Sequence, residues 1–149
     1  MLLKEKIYRH FVEALNGKID MLQQVLADLK ESGSNETKST AGDKHETALA
    51  MLQIEQENNR ARLKELLEQK ASLEKIDPLK TASMVAYGSL VRTNRGYLFI
   101  STALGRATVE NITVIALSPN SPLGEKLMGL KVNDTVLMNN VEYRVEEIG

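Results

Sequence analysis

The apolar residues of this chain change their spacing once, at Pro78, and that change limits what the chain can fold into. Before it they recur every three or four residues, as on one face of a helix. After it they alternate or run together, as in strands. In the first part, Tyr8, Val12, Leu15, Ile19, Leu22, Leu26 and Leu29 form a heptad seam, with Phe11 and Val25 widening it. Gly17 interrupts the pattern at a cost of about 1 kcal/mol relative to Ala. The segment "ESGSNETKSTAG" is almost wholly polar and reads as a loop, placed at residues 32–43. A second seam follows on Leu49, Leu52, Leu63, Leu66 and Leu73, with Gln56, Asn59 and Lys70 at intervening seam positions. Polar seam residues specify register at some cost in stability.

Neither pattern is wide enough for a globular core, and two helices of similar length joined by one loop pair most simply as an antiparallel hairpin. Thirty residues of helix span roughly 45 Å, so the loop bearing Asp43 and Glu46 is expected at the far tip. The expected division is a coiled-coil hairpin over residues 1–77 and a second module over residues 78–149. The residue before Pro78 disfavours helical backbone, which ends the second helix.

The second module reads as strands. "SLVRT" and "YLFIST" flank a turn at "NRG", "NITVIALS" is a buried strand, and "TVLMN" and "VEYRVEEI" flank the turn Asn139-Asn140. Between them "SPNSPLGEKLMGLKVND" holds one short helix: Ser121 is a natural N-cap, Pro122 a natural first residue and Gly129 a natural stop. The expected fold class is α+β, a helical hairpin followed by a small antiparallel sheet carrying one short helix.

Composition narrows the function classes. The chain lacks Cys, which removes disulfides, thiolate metal sites and Cys nucleophiles. A formal net charge of −1 provides no general basic field for duplex nucleic acid. No segment has the apolar length of a membrane span or the pattern of a secretion signal, so a cytoplasmic protein without membrane contact is expected. No Ser-His-Asp set, glycine-rich phosphate loop or HExxH motif points to an independent enzyme. His10, His45 and the methionines at 51, 128 and 138 read as surface or packing residues.

Two segments carry a family likeness. "GDKHETA" (residues 42–48) is similar to the tip of the bacterial Gre transcript-cleavage factors, and "SPNSPLGEKLMGLKVNDTV" (residues 118–136) resembles a segment of their FKBP-like C-terminal domain. The likeness in order and spacing runs over essentially the whole chain. It implies a transcription elongation factor that binds RNA polymerase at its secondary channel as a monomer. It meets the nascent RNA 3′ end indirectly and DNA only through the polymerase. By the same likeness Asp43 and Glu46 assist a Mg²⁺ ion shared with the polymerase, so that the polymerase cleaves backtracked RNA by two-metal chemistry. Asn120, Ser121 and Pro122 are implied to lie in the polymerase-docking part. Lys38, Lys44, Arg60, Arg62 and Lys64 are candidate RNA contacts. An FKBP-like fold also suggests prolyl isomerase activity, which needs an aromatic pocket, and this module offers only Tyr87, Tyr97, Phe99 and Tyr143.

The residues keep alternatives open. Asp43 and Glu46 also match a capping box, a structural role sufficient in itself. After "ETA" this chain has Leu49 and Ala50 where the family commonly has an acidic residue and Tyr, and about ten polar residues precede Asp43. A regulator that occupies the channel without promoting cleavage therefore stands beside the cleavage factor. So does a structural coiled-coil adaptor, whose polar seam residues would select a partner chain.

Overall fold

The computed structural model describes the backbone of residues 2–37 and 43–149, and the side chains of these except 34–37 and 43–45. Two long helices come first, α1 (Leu3–Thr37) and α2 (Asp43–Glu74). Six strands follow, β1 (Leu90–Thr93), β2 (Gly96–Ile100), β3 (Gly105–Val109), β4 (Ile112–Leu117), β5 (Thr135–Met138) and β6 (Val141–Ile148), with the short helix α3 (Pro122–Leu127) between β4 and β5. The α+β class and the two helical arms are as the sequence implies.

The chain divides into two compact units. One holds Met1–Glu13 with Ala71–Gly149, the other Ala14–Lys70. The first turns of α1 and the last turn of α2 thus group with the sheet, whereas the sequence pattern placed the division at residues 77/78.

The helical unit is held by the anticipated seam. Leu15 and Ile19 on α1 and Leu66 on α2 are buried, and Leu52, Gln56, Asn59, Leu63 and Lys70 are half-buried at the alternating spacing of four and three. Helix α1 does not stop near residue 31 but continues to Thr37. Gly33 occupies the next position of its seam, half-buried, where an added Cβ would lie 4.0 Å from the Gln56 amide nitrogen. Extending an existing helix adds a hydrogen bond for each residue fixed, so a polar stretch can stay helical while its seam still finds a partner. The expected loop at residues 32–43 is thereby corrected, since only residues 38–42 lie between the two helices.

The sheet runs β3-β4-β2-β1-β6-β5. It is mixed, not wholly antiparallel as the sequence suggested, because β2 and β4 pair in parallel. The cause is β3, which the sequence reading passed over. After β2 the chain moves to the sheet edge, forms β3, and returns through a two-residue turn into β4 beside β2. That turn is Glu110-Asn111, with φ of 52° and 63°. The turn at Asn139-Asn140 has φ of 51° and 64°. Positive φ at both central residues is the type I′ geometry that matches strand twist. Asn tolerates it, while Glu110 is the unusual occupant that hid the first hairpin.

Strand β2 is covered on both faces, which explains why "LFI" is a continuous apolar run. Leu98 and Ile100 join Val85, Val91, Leu117, Leu127 and Val145 in one cluster under α3. Phe99 points the other way, is fully buried, and stacks on Phe11 of α1 with centroids 6.1 Å apart and planes at 22°. Beside Phe11, Ile7 is also fully buried. A pairing irregularity between Arg92 and Thr93 makes residue 146 the extra residue of β6. The in–out alternation of Val141, Tyr143 and Val145 therefore does not continue beyond it.

Three ionisable groups lie at the base of α1. Burial raises the Tyr8 pKa above its ordinary 10.0, and Glu74 reinforces the rise. Burial likewise raises Tyr87, with Tyr8 adding to it; its hydroxyl donates to the Ser72 carbonyl. Burial lowers Lys4 below 10.5, against the opposing pull of Asp77. An unfolded tyrosine ionises near pH 10 while these two stay protonated, so their contribution is present below pH 10 and is lost as pH rises through the folded values. Lys4 acts in the opposite sense, because its penalty is relieved as pH rises towards 10.5. Tyr8→Phe is expected to flatten the fall in stability above pH 10, and Lys4→Met to steepen it, in urea titrations at successive pH values. A second expectation concerns the ring stack. Phe11→Ala and Phe99→Ala each cost about 3–5 kcal/mol, and the double variant costs about 0.5–1.5 kcal/mol less than the sum. Full additivity would mean that the rings do not interact.

Candidate functional site

The segment 118–136 folds around one close backbone approach. Ser121 is extended, with φ −69° and ψ 158°, and caps α3. Its hydroxyl donates to the Ser118 carbonyl at 2.6 Å and accepts from the Gly124 N–H at 3.1 Å. Pro122 occupies the first turn, where a missing N–H costs nothing. Gly124 is required because a Cβ there would run into the Ser118 carbonyl, with Ser121 Oγ at 2.8 Å and Pro119 Cα at 3.0 Å. The motif Ser-Pro-Asn-Ser-Pro-Leu-Gly is thus a turn folded back on the start of its own helix.

The far end is fixed as firmly. Gly129 takes φ 82° and donates to the Val85 carbonyl at 2.8 Å, while the Val85 N–H donates to Leu130 at 2.8 Å. Asp134 accepts from the Lys131 N–H at 2.8 Å through its carboxylate, and Val145 N–H donates to its carbonyl at 2.9 Å.

An apolar groove of about 280 Å³ lies between α3 and the sheet. Leu98, Ile115 and Leu117 share one sheet face by register, and Ser121, Pro122 and Leu123 form the wall opposite Tyr143. Ile115 is 37% exposed there, a large apolar side chain open to a partner. Ser121 and Pro122 line the groove, whereas Asn120 is exposed outside it, its N–H bonded to Ser118 Oγ at 3.1 Å. Tyr143 is the groove's aromatic residue among the described residues, because Phe99 is committed to the opposite face of the sheet.

The second candidate region is the start of α2. The helix begins at Asp43, and Glu46, three residues on, is exposed. Positions 43 and 46 are three apart on this helix. The side chains of Asp43, Lys44 and His45 lie outside the described residues, as does Lys38. Among the described residues no group of three or more His, Asp or Glu could hold a metal ion by itself.

Arg60, Arg62 and Lys64 of α2 do not share one helix face. At 100° per residue, Arg60 and Lys64 share one flank of the seam. Arg62 projects from the other flank, where it pairs with Glu65 at 3.5 Å.

No family model matches this chain, and no curated protein matches it in sequence. Among solved structures it is similar to that of the transcription factor Gfh1, with 17% sequence identity, 92% of each chain covered and a TM-score of 0.33. Overlap that loose carries no argument about how this chain acts. No described helix is long and apolar enough to cross a membrane.

The turn generates its own expectation. Ser121→Ala removes a cap and a bond to Ser118 and costs about 1–2 kcal/mol, whereas Ser121→Thr keeps most of the stability. Gly124→Ala costs about 1–3 kcal/mol through the forced shift of the turn. A Gly124→Ala variant with unchanged urea midpoint would contradict this geometry.

Proposed function

We propose that this chain is a Gre-like transcription factor that acts on RNA polymerase. The groove beside Pro122 is its docking surface and the paired helices α1 and α2 its probe of the secondary channel. One observation carries the reading. The segment that resembles the Gre C-terminal domain folds into a capped helix walling an apolar groove, in a chain whose other unit is a two-helix hairpin. Apolar grooves with a polar rim are what protein partners fill.

Asp43 and Glu46 are proposed to supply carboxylates to a Mg²⁺ ion in the polymerase active centre. Bound there, the ion would complete a two-metal pair in which one ion activates water and the other stabilises the leaving oxygen. Two carboxylates suffice only as part of its shell, the remainder coming from the polymerase and water. The sequence raised a separation of about ten polar residues against this role. Helix α1 running to Thr37 reduces that separation to residues 38–42, which favours the cleavage reading over mere channel occupancy. The adaptor reading is weaker, because Leu15, Ile19 and Leu66 are already buried within the single chain.

Two measurements test the proposal. Ile115→Arg places a charge in the groove and is expected to weaken co-purification with polymerase by at least tenfold, the effect of a charge at an interface centre. Retention at wild-type level would remove the groove from the docking surface. In a backtracked-complex assay, Asp43→Asn and Glu46→Gln are each expected to bring RNA cleavage to background with polymerase binding intact. Both amides preserve much of any capping ability. Wild-type binding without cleavage would favour the channel-occupying regulator, and undiminished cleavage by the double amide variant would exclude the carboxylate role.

A further inference from the structure

Away from the groove, a cavity of about 250 Å³ is lined by three lysines and one aspartate, Lys4, Lys75, Lys80 and Asp77. It lies within the sheet-bearing unit, and Thr81 and Ser89 also line it. The formal net charge of the chain is −1, so this local excess of positive charge is not part of a general basic field.

Lys4 is the unusual member. Lysine is almost never fully buried unless paired, yet Lys4 is only 8% exposed. Its ammonium carries three donors, and among the described residues the bond assigned to it is to the Lys80 carbonyl, at 2.6 Å. Burial disfavours its charged form, and Asp77 only partly offsets this. One Asp77 carboxylate oxygen is engaged by the Leu79 N–H at 2.9 Å. Neither Lys75 nor Lys80 joins an ion pair among the described residues. Gly88 and Ile76 also line the cavity and are closely packed: at φ 92°, an added Cβ on Gly88 would be 3.1 Å from Ile76 Cγ2. A cavity of about 320 Å³ on the other side of Lys4 differs, because there Arg92 is paired with Glu147 at 3.2 Å.

We propose that the Lys4–Lys75–Lys80 cavity binds a small oxyanion of the phosphate class. Lys4 is the buried anchor and the two exposed lysines close on the anion from solvent. The volume lies below that of pockets for drug-sized ligands, which suits a phosphate or diphosphate group. Charge-assisted bonds to an ammonium already removed from water are the strong kind. The site involves neither the groove nor the α2 start, so it stands whether or not the chain acts on polymerase.

The test is isothermal titration calorimetry of the full chain with inorganic pyrophosphate at low ionic strength, with ADP as a second arm. One saturable site per chain is expected. Equal affinity in the two arms identifies the free oxyanion as sufficient, and tighter ADP binding identifies a nucleoside-borne diphosphate. Lys75→Ala/Lys80→Ala, on exposed positions, is expected to weaken binding by about tenfold or more. Lys4→Met is expected to abolish it, and Lys18→Ala, on the other unit, to leave it unchanged. No saturable binding of either probe would overturn the proposal. So would equal losses from Lys18→Ala and the double variant, the mark of general charge screening.

Discussion

The stack of Phe11 on Phe99 is the contact on which the sheet-bearing unit depends. A strand covered by α3 on one face alone would need polar residues at alternate positions, and β2 has none in Leu98-Phe99-Ile100. Its second face is covered by residues from the first turns of α1, nearly ninety positions earlier in the chain. The N-terminal turns of a helix that looks like one arm of a hairpin are therefore core residues of the other unit. Ile7, on the same face, and the Lys4 bond to Lys80 belong to the same packing. Long-range contacts of this kind must repay a loop-closure cost that local hairpins do not face, and two stacked aromatic rings give a large return of buried area.

This arrangement explains which parts of the structure were legible in the sequence. The change of period at Pro78 is a local signal, and it gave the two kinds of element correctly. So did the cap, first residue and stop of α3, because Ser121, Pro122 and Gly129 each act on their own neighbours. The misses have physical causes. Residues 32–37 have poor intrinsic preference for helix, but α1 arrives there already formed. β3 carries Gly105 and Arg106 and turns at a Glu-Asn pair, so neither its composition nor its turn announces a strand. The parallel pairing of β2 with β4 followed from that missed strand.

The candidate sites divide along the same line. The groove residues Ser121 and Pro122 were legible, because a short motif shapes them. Ile115 and Tyr143 were not, since only sheet register brings them to the same place. The cationic cavity was invisible in sequence. Lys4, Lys75 and Lys80 are ordinary surface residues in any local reading, and only the fold removes Lys4 from water.

The polar seam of the hairpin gives the last step. Among the described residues of the helical unit, full burial is confined to Leu15, Ile19 and Leu66, and the described seam residues beyond Leu22 on α1 and before Leu66 on α2 are half-buried at most. Gln56 and Asn59 occupy core positions in that outer stretch, where apolar residues would bind the helices more strongly. Such a seam stabilises little and discriminates much, because a shifted register would leave those amides facing apolar neighbours without partners. A slip of one turn would move the start of α2 by about 5 Å. The polar seam therefore fixes how the two helices align more than it adds to their stability.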